Sequence, residues 1–420
     1  MRDEDARLQR ADFAARPVRD CADLNTSSDS KLVRALGKDL REIAARGELR
    51  TLEIPAGINL CSNDYLALAA NPALRDAVIG AVARAERVGS TGSRLLAGNA
   101  CEWDELEREF ADFAGTDAAL YFTSGYAANV GLLSAVMGRG DIVFSDAANH
   151  ASLIDGARIS GAEKVVFPHG DLEALELALH DHVNQPGRKL VATESVFSMD
   201  GDLAPLREMA TLAKRYGAEV VVDEAHATGV FGPEGRGRVA ELGLESEIFA
   251  VVHMCGKALA SAGAFVCGGA TLKSYLINRA RTFLFNTALP PYFAGQIRAA
   301  LSLARAAEAE RARLKTITTK LRENLRGGGW DTGKSASQIV PVMLGGNDVA
   351  MRFAAELGRD GFAVRAIRPP TVPEGSARLR LSLTCALKDE ELVRLVQAMA
   401  RSREHMSAAM QGQAASAGRA

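Results

Sequence analysis

Two residues, an aspartate and a lysine, each follow an apolar run of the sequence and could do chemistry together. Asp223 ends the run in AEVVVDEAH (218–226), and Lys257 ends the run in IFAVVHMCGK (248–257). A lysine among small and apolar neighbours is held out of water, so its amine loses proton affinity and becomes a usable nucleophile and base. Taken singly, Asp223 is equally well explained as a helix N-cap. Lys257 alone is explained as a surface lysine whose methylene groups lie along apolar surface while its ammonium group is in solvent.

Together the two residues are what pyridoxal phosphate requires. The lysine holds the cofactor's aldehyde as a Schiff base, and the aspartate keeps the pyridine nitrogen protonated so that the ring accepts electrons. The segment YFTSGYAANVGLLSA (121–135) predicts a strand that runs into a helix through Thr123, Ser124, Gly125 and Tyr126. That turn offers backbone N–H groups and a helix N-terminus to the phosphate. Alone it is a weak signal, because many α/β turns contain Ser-Gly.

The elements that must position these residues follow a regular order. From about residue 56, short β-branched runs alternate with helix-length segments, which predicts an α/β fold with a mainly parallel sheet between helices. Ligands of such sheets gather at the carboxyl ends of the strands. We expect an N-terminal helical arm over 1–55, a large cofactor-binding domain over 56–295, a smaller α+β domain over 296–402, and a disordered tail over 403–420.

Composition narrows the class of protein. The 420 residues carry a formal charge of −2 and no blocks of Lys or Arg, which gives no reason to expect nucleic acid or a charged membrane surface as partner. The six cysteines show no CxxC pair, which favours free thiols in a reducing compartment over disulfides or a metal site. The charged N-terminus is unlike a secretory signal, and no apolar run reaches membrane-spanning length, so we expect a cytoplasmic protein.

Eight segments of the chain carry a family resemblance in one collinear order. They are SNDYLAL (62–68), GSTGSRLLAGN (89–99), SDAANHASLIDG (145–156), TESVFSMDGDLAPL (193–206), VVDEAHATGVFGPEGRG (221–237), GKALASAG (256–263), FLFNTALPP (283–291) and AIRPPTVPEGSARLRLSL (366–383). From about residue 35 to 400 the sequence resembles the α-oxoamine synthases. These are fold-type I pyridoxal phosphate enzymes that condense an amino acid with an acyl thioester and release carbon dioxide. SNDYL and above all IRPPTVPEGSARLRLSL resemble the member that joins L-alanine to a pimeloyl thioester in biotin biosynthesis.

The resemblance implies roles around the cofactor. Lys257 would form the Schiff base and carry the substrate proton, Asp223 would pair with the pyridine nitrogen, and the imidazole of His150 would stack over the ring. Ser198 and His226 would hydrogen-bond the region of the ring hydroxyl.

Further roles concern the phosphate and the substrates. Gly125 and Tyr126, beside Ser124, would supply main-chain contacts, and Thr287 would reach the phosphate from a neighbouring subunit, which implies a homodimer with shared active sites. Arg380 is the candidate for the amino acid's carboxylate, since a guanidinium fork matches it in two places. The remaining substrate residues would be His150, Asn63 and Thr371 along the substrate path, and Arg50 at the acyl donor.

Each of these residues also has an ordinary structural explanation. Ser198, Thr287 and Thr371 are explained as turn residues, and Arg380 and Arg50 as members of surface ion pairs. His150 and His226 are explained as packed histidines. For any one of them alone the structural role is the better interpretation. The shared order of the motifs favours the functional one.

The sequence departs from the family pattern at four positions. Three residues before Lys257 the family usually has Thr or Ser, whose hydroxyl contacts the phosphate; Met254 stands there and cannot donate, which predicts weaker phosphate binding. The other departures are Trp103 and Leu387 at positions where relatives carry His, and Asn286 in place of Ser or Thr.

Two alternatives remain open at this point. One is a different family enzyme, using glycine with acetyl-CoA or serine with a long acyl thioester, against which IRPPTVPEG argues. The other is a catalytically silent subunit that stabilises an active paralogue. Met254, Trp103 and Leu387 favour that alternative, and the retention of Lys257 and Asp223 argues against it.

Overall fold

The computed structural model describes residues 30–417 of the chain, with side chains as far as 405. The chain divides into two compact units between residues 54 and 55. In the first unit, an amphipathic helix, α1 (Lys31–Ala45), occupies the part of the predicted N-terminal arm that the structure describes. Residues 1–29 of that predicted arm lie outside the described residues.

The second unit is built on a seven-stranded sheet with the strand order β2-β8-β7-β6-β5-β3-β4. Every neighbouring pair is parallel except the two pairs that contain β8, so β8 alone runs against the others in this sheet. The mainly parallel sheet predicted from the sequence is confirmed. The first eight strands are β1 (Ile58–Asn59), β2 (Ala118–Phe122), β3 (Ile142–Asp146), β4 (Glu163–Phe167), β5 (Lys189–Glu194), β6 (Glu219–Asp223), β7 (Ala250–Met254) and β8 (Ala264–Gly268).

Helices cover both faces of this sheet, which is why its strands read as continuous apolar runs. Two helices precede this sheet, α2 (Pro72–Arg84) and α3 (Cys101–Ala114). The helices between its strands and after β8 are α4 (Gly125–Val136), α5 (Ala151–Ser160), α6 (Leu172–Asp181), α7 (Leu206–Arg215), α8 (Arg238–Glu241), α9 (Ala270–Arg279) and α10 (Arg281–Leu284). In β6, Val221 packs toward α4, α5 and α9, whereas Val220 and Val222 pack toward α6 and α7. Alternate side chains of one strand therefore enter two separate cores.

The C-terminal part of the second unit holds two smaller sheets. A three-stranded antiparallel sheet has the order β11-β12-β9, and β1 pairs with β10 in parallel. The elements are α11 (Tyr292–Ala306), α12 (Glu308–Gly327), β9 (Ile339–Gly345), α13 (Asn347–Arg359), β10 (Phe362–Ala363), β11 (Arg365–Ile367), β12 (Ala377–Ser382) and α14 (Asp389–Ala417). The predicted domain boundary between residues 295 and 296 falls inside helix α11. The division into these two domains stays a prediction. The sequence predicted a disordered tail from 403; helix α14 instead continues as far as Ala417.

Three further features bear on the class of protein. No helix within residues 30–417 has the length and apolar character that a membrane crossing needs. The same described residues contain no group of three or more His, Cys, Asp or Glu side chains that could hold a metal ion. The five cysteines among them are free thiols.

Candidate active site

A cavity of about 280 Å³ lies at the carboxyl ends of β5, β6 and β7, where a sheet of this kind binds its ligands. Each of these strands ends in a residue that lines the cavity: Glu194, Asp223 and Met254. The structure brings together most of the cofactor residues predicted from the sequence. The predicted residues that line the cavity are Ser124, Gly125, Tyr126, His150, Asp223, His226, Met254 and Lys257.

Lys257 lies in the turn after β7 and directs its amine toward His226. The Nζ atom is 2.8 Å from Nε2 of His226. Burial lowers the pKa of Lys257 to about 8, although the carboxylates of Asp223 and Glu194 act in the opposite direction. A pKa near 8 leaves about a tenth of the amines neutral at pH 7, against roughly one in 3,000 for an ordinary lysine. The position therefore supplies the nucleophilic amine that the sequence pattern predicted.

His226 continues a hydrogen-bonded chain away from the lysine. Its Nδ1 is 2.6 Å from the hydroxyl of Tyr65, and that hydroxyl donates to Oδ1 of Asn63 at 3.1 Å. Arg380 also donates to Oδ1 of Asn63, from Nη2 at 3.1 Å. Burial, followed by the positive charges of Lys257 and Arg380, holds the pKa of His226 well below its usual value. A neutral His226 thus connects the lysine to the arginine predicted to bind the substrate carboxylate.

Asp223 is buried at the end of β6 and is held in place from two sides. Its Oδ1 accepts the backbone N–H of Ala225 at 2.7 Å, and its Oδ2 accepts the side-chain amide of Asn129 at 2.6 Å. Asn129 also donates to Oγ of Ser152 at 2.8 Å, and Ser152 contacts Nδ1 of His150 at 2.8 Å. The carboxylate is therefore fixed relative to the histidine that lines the same cavity.

The turn from β2 into α4 provides an anion site. Ser124 is the N-cap of α4, and its hydroxyl accepts the backbone N–H of Ala127 at 3.1 Å. The first N–H groups of a helix have no partner within the helix and point at whatever lies before it. A β-carbon at Gly125 would meet the thioether of Met254, which would have to shift to make room. Met254 thus covers this turn with an apolar side chain that donates no hydrogen bond.

Arg380 and Ser198 meet beside this cavity. Arg380 lies on β12, is 8% exposed, and donates from Nε to the backbone carbonyl of Ser198 at 2.6 Å. Two residues earlier on the same strand, Arg378 forms an ion pair with Asp200. Both arginines therefore fasten β12 to the turn after β5.

Six predicted residues are not among those that line the cavity. Ser198, Asn63 and Arg380 take part in the contacts described above, whereas Thr287, Thr371 and Arg50 do not. Thr287 lines a separate small cavity with Trp103 and Asn286. Thr371 is exposed, and its backbone N–H donates to the carbonyl of Arg368 at 3.0 Å. Arg50 belongs to the first unit. The roles of the predicted site residues, these three included, stay predictions.

Several polar residues of the site were not among those predicted from the sequence. Among them, Glu194 has the clearest sequence signal. Its Oε1 accepts the backbone N–H of His150 at 2.7 Å. Burial, with the negative charge of Asp223 beside it, raises the pKa of Glu194 to about 8. Glu194 ends β5 opposite Asp223 on β6, so the strand-end argument that found Asp223 also applies to it. Asn129 and Tyr65 carry no such signal.

The residues of the cavity fit pyridoxal phosphate by their chemistry. A buried amine of lowered pKa, a buried carboxylate and the N-terminus of a twelve-residue helix face one space. Lys257 would hold the aldehyde, Asp223 the pyridine nitrogen, and the Ser124–Tyr126 turn the phosphate.

Comparison with known proteins agrees with this fit. The aminotransferase class I and II family profile matches residues 55–399. An 8-amino-7-oxononanoate synthase of Geobacter sulfurreducens is 43% identical over 385 residues, covering 88% of this chain and 98% of that protein. A serine palmitoyltransferase from S. paucimobilis, solved with pyridoxal phosphate and myriocin, has 30% identity and a TM-score of 0.82 over 90% of this chain and 100% of its own. The 8-amino-7-oxononanoate synthase of Francisella tularensis has 27% identity and a TM-score of 0.73, covering 84% and 99% of the two chains.

Fold and site define a fold-type I transferase that uses pyridoxal phosphate. The chain belongs to the aminotransferase class I and II family and, within it, to the 8-amino-7-oxononanoate synthases. The resemblance to the α-oxoamine synthases is thereby confirmed.

Proposed function

We propose that the chain condenses L-alanine with a pimeloyl thioester, of CoA or of acyl carrier protein, and releases carbon dioxide to give 8-amino-7-oxononanoate for biotin biosynthesis. The observation that carries this proposal is the placement of the Lys257 amine, the Asp223 carboxylate and His150 around one cavity. The family membership supports the choice of reaction within the fold.

Bound pyridoxal phosphate supplies an aldehyde that takes the amino acid's nitrogen and a ring that accepts the electron pair of the broken Cα–H bond. Lys257 would hold the aldehyde. With the amino acid bound, its Nζ would remove the proton from Cα and later return it. A pKa of about 8 suits both steps, since the amine is close to balance between its neutral and protonated forms near neutral pH.

Asp223 keeps a proton on the pyridine nitrogen. Its two oxygens already accept hydrogen bonds from Ala225 and Asn129, so it meets the ring in a fixed orientation. His150, which lines the same cavity, would contact the ring of the cofactor. Both residues act by holding position and charge, and neither has to move during the reaction.

Arg380 binds the carboxylate of alanine. Its contacts with Ser198 and Asn63 orient the guanidinium, whose fork matches a carboxylate in two places. The same carboxylate leaves as carbon dioxide after the acyl group has joined Cα and the thiol has departed. Asn63 and Thr371 line the path of the substrate, and Arg50 meets the acyl donor.

The working enzyme is a cytoplasmic homodimer in which Thr287 of one subunit reaches the phosphate held by the other. The location of Thr287 outside the cavity of its own chain agrees with such sharing. Size-exclusion chromatography with light scattering measures the subunit count directly, and a monomer with full activity would contradict the shared site.

A substrate panel tests the reaction. Purified protein loaded with pyridoxal phosphate is given alanine, glycine or serine together with pimeloyl-CoA, pimeloyl carrier protein, acetyl-CoA or palmitoyl-CoA. Thiol release and the mass of the product are measured. We expect release that depends on alanine and a pimeloyl donor. Turnover with glycine and acetyl-CoA, or with serine and palmitoyl-CoA, would assign the chain to another α-oxoamine synthase, and activity only with a second chain would indicate a silent subunit.

A further inference from the structure

His150 caps helix α5, and its ring nitrogen Nδ1 faces that helix. The backbone N–H of Ser152 donates to Nδ1 at 3.2 Å, and the hydroxyl of Ser152 is 2.8 Å from the same nitrogen. A backbone N–H can only donate, so Nδ1 must offer it a lone pair. A neutral imidazole with a lone pair on Nδ1 carries its proton on Nε2.

A second line of contacts leads to the same assignment from the opposite end. The side chain of Asn129 lies 2.6 Å from Oδ2 of Asp223 and 2.8 Å from Oγ of Ser152. An ionised carboxylate only accepts hydrogen bonds, so the amide group of Asn129 must turn its NH₂ toward Asp223. The reverse orientation would place two acceptor oxygens 2.6 Å apart. The same NH₂ also donates to Oγ of Ser152, and because Nδ1 offers its lone pair to the Ser152 N–H, the Ser152 hydroxyl donates its own hydrogen to Nδ1 of His150.

We infer that Asn129 and Ser152 are positioning residues that hold neutral His150 with its single proton on Nε2. The direction of the chain is Asn129 to Ser152 to His150, and the negative charge of Asp223 sets that direction at its origin. His150 thereby presents an N–H donor at the side of the ring away from α5, in a residue that lines the cavity.

The surroundings oppose the charged form of this histidine. Imidazolium would carry a second proton on Nδ1, pointing at the Ser152 N–H and hydroxyl. The titratable groups of other elements that line the cavity with His150 are Tyr126, Glu194, Asp223, His226 and Lys257. Burial comes first in lowering the pKa of His150, Lys257 lowers it further, and Asp223 acts in the opposite direction. The backbone of His150 is fixed separately through Glu194.

A fixed Nε2–H donor has a use in the reaction, and this step rests on the proposed function. The thioester carbonyl gains negative charge on its oxygen when Cα attacks it. The neutral Nε2–H group of His150 would stabilise that oxygen by a hydrogen bond and keep its own proton, so it remains ready for the next turnover. The tautomer with the proton on Nδ1 would instead present a lone pair to the same oxygen and repel it.

Nuclear magnetic resonance of the holoenzyme tests the tautomer without reference to activity. Protein labelled with ¹⁵N in its histidines is studied by long-range ¹H–¹⁵N correlation at neutral pH, and the His150 signals are assigned by their loss in His150→Gln. We expect an unprotonated Nδ1 and a protonated Nε2. A proton on Nδ1, alone or together with one on Nε2, would overturn the inference. This result does not depend on which thioester the enzyme uses, so it separates the inference from the proposed reaction.

Two variants test the positioning residues. Ser152→Ala removes the hydroxyl donor, and Ser152→Thr keeps it. We expect Ser152→Ala to populate the other tautomer and to lower kcat by about tenfold or more with a smaller change in KM for alanine, and Ser152→Thr to restore both readouts. An unchanged tautomer and an unchanged kcat in a folded Ser152→Ala protein would show that Ser152 does not position His150. If that variant does not fold, the spectrum of the wild-type protein still decides the tautomer.

Discussion

The amine of Lys257 lies 2.8 Å from Nε2 of His226, and the two residues follow neighbouring strands, β7 and β6, of the central sheet. His226 is neutral because burial and the adjacent positive charges hold its pKa well below its usual value. Its Nε2 can therefore accept a hydrogen bond from the amine. This contact holds the lysine at the carboxyl edge of the sheet.

The first prediction concerns the nucleophile. Lys257→Ala removes the amine, so we expect no turnover and no covalent link to pyridoxal phosphate in a protein that remains a folded dimer. Borohydride reduction followed by mass spectrometry measures the link. The matched control is Lys273→Ala, which removes a lysine in the first turn of α9 that pairs with Glu107 on α3. Normal product formation by Lys257→Ala would contradict the assignment.

The second prediction concerns pH. The pKa of Lys257 is lowered to about 8, and only the neutral amine attacks an aldehyde. The rate at which apo protein captures the cofactor should therefore rise about tenfold per pH unit below pH 8 and level off above it. An ordinary lysine would continue to rise beyond pH 10. Stopped-flow absorbance measures this rate.

A charge variant refines the pH test. Glu194, whose pKa is itself raised to about 8, is partly ionised in this pH range, and its negative charge raises the pKa of Lys257 against the effect of burial. Glu194→Gln removes that charge, so the midpoint of the capture profile should move to lower pH. A shift toward higher pH would show that Glu194 does not act on Lys257 as a negative charge.

Strand periodicity explains how much could be predicted from the sequence. Apolar runs such as the one before Asp223 identify buried parallel strands, and parallel strands bring their carboxyl ends to one edge. This reasoning places Asp223 and Lys257 at the same edge of the sheet, where both line one cavity. It also applies to Glu194, which ends β5 in the same way.

Contacts between distant residues could not be predicted in that way. Asn63 meets Arg380 across 317 positions of sequence, and Asn129 meets Asp223 across 94. Such pairs depend on how helices and sheets pack and on which rotamers the packing allows, and no local pattern encodes either. Helix α14 is a further example. The low sequence complexity of the tail predicts disorder from residue 403, whereas the helix continues to Ala417.

The third prediction concerns the pyridine nitrogen. Asp223→Asn keeps the size of the side chain and removes its charge, so the ring loses the partner that keeps its nitrogen protonated. We expect kcat to fall by at least about 10²-fold, with cofactor still linked to Lys257. Steady-state kinetics and the visible absorption of the bound cofactor measure the two effects. Wild-type rates would remove Asp223 from the site.

The fourth prediction concerns the phosphate. Met254 lies against the turn at the start of α4 and offers no donor, so threonine at this position would add a hydroxyl. We expect Met254→Thr to bind pyridoxal phosphate several-fold more tightly, since a hydrogen bond to a charged group contributes roughly 1.5–3 kcal/mol before desolvation of the new hydroxyl is subtracted. Affinity for pyridoxal, which has no phosphate, should stay unchanged. Met254→Leu is the apolar control, and an equal gain for both aldehydes would exclude the phosphate as the cause.

The fifth prediction couples Met254 to Gly125. A β-carbon at position 125 would collide with the thioether of Met254. The methionine side chain is flexible and can move aside, but its new position would alter the part of the cavity next to the turn. We expect Gly125→Ala to weaken pyridoxal phosphate binding by about tenfold, equivalent to 1.4 kcal/mol, when Met254 is present. The same substitution should cost much less in a Met254→Ala background, because the collision is gone. Equilibrium titration of the four apo proteins gives the coupling energy, and equal losses in both backgrounds would mean that the helix turn itself, and not Met254, excludes a side chain at position 125.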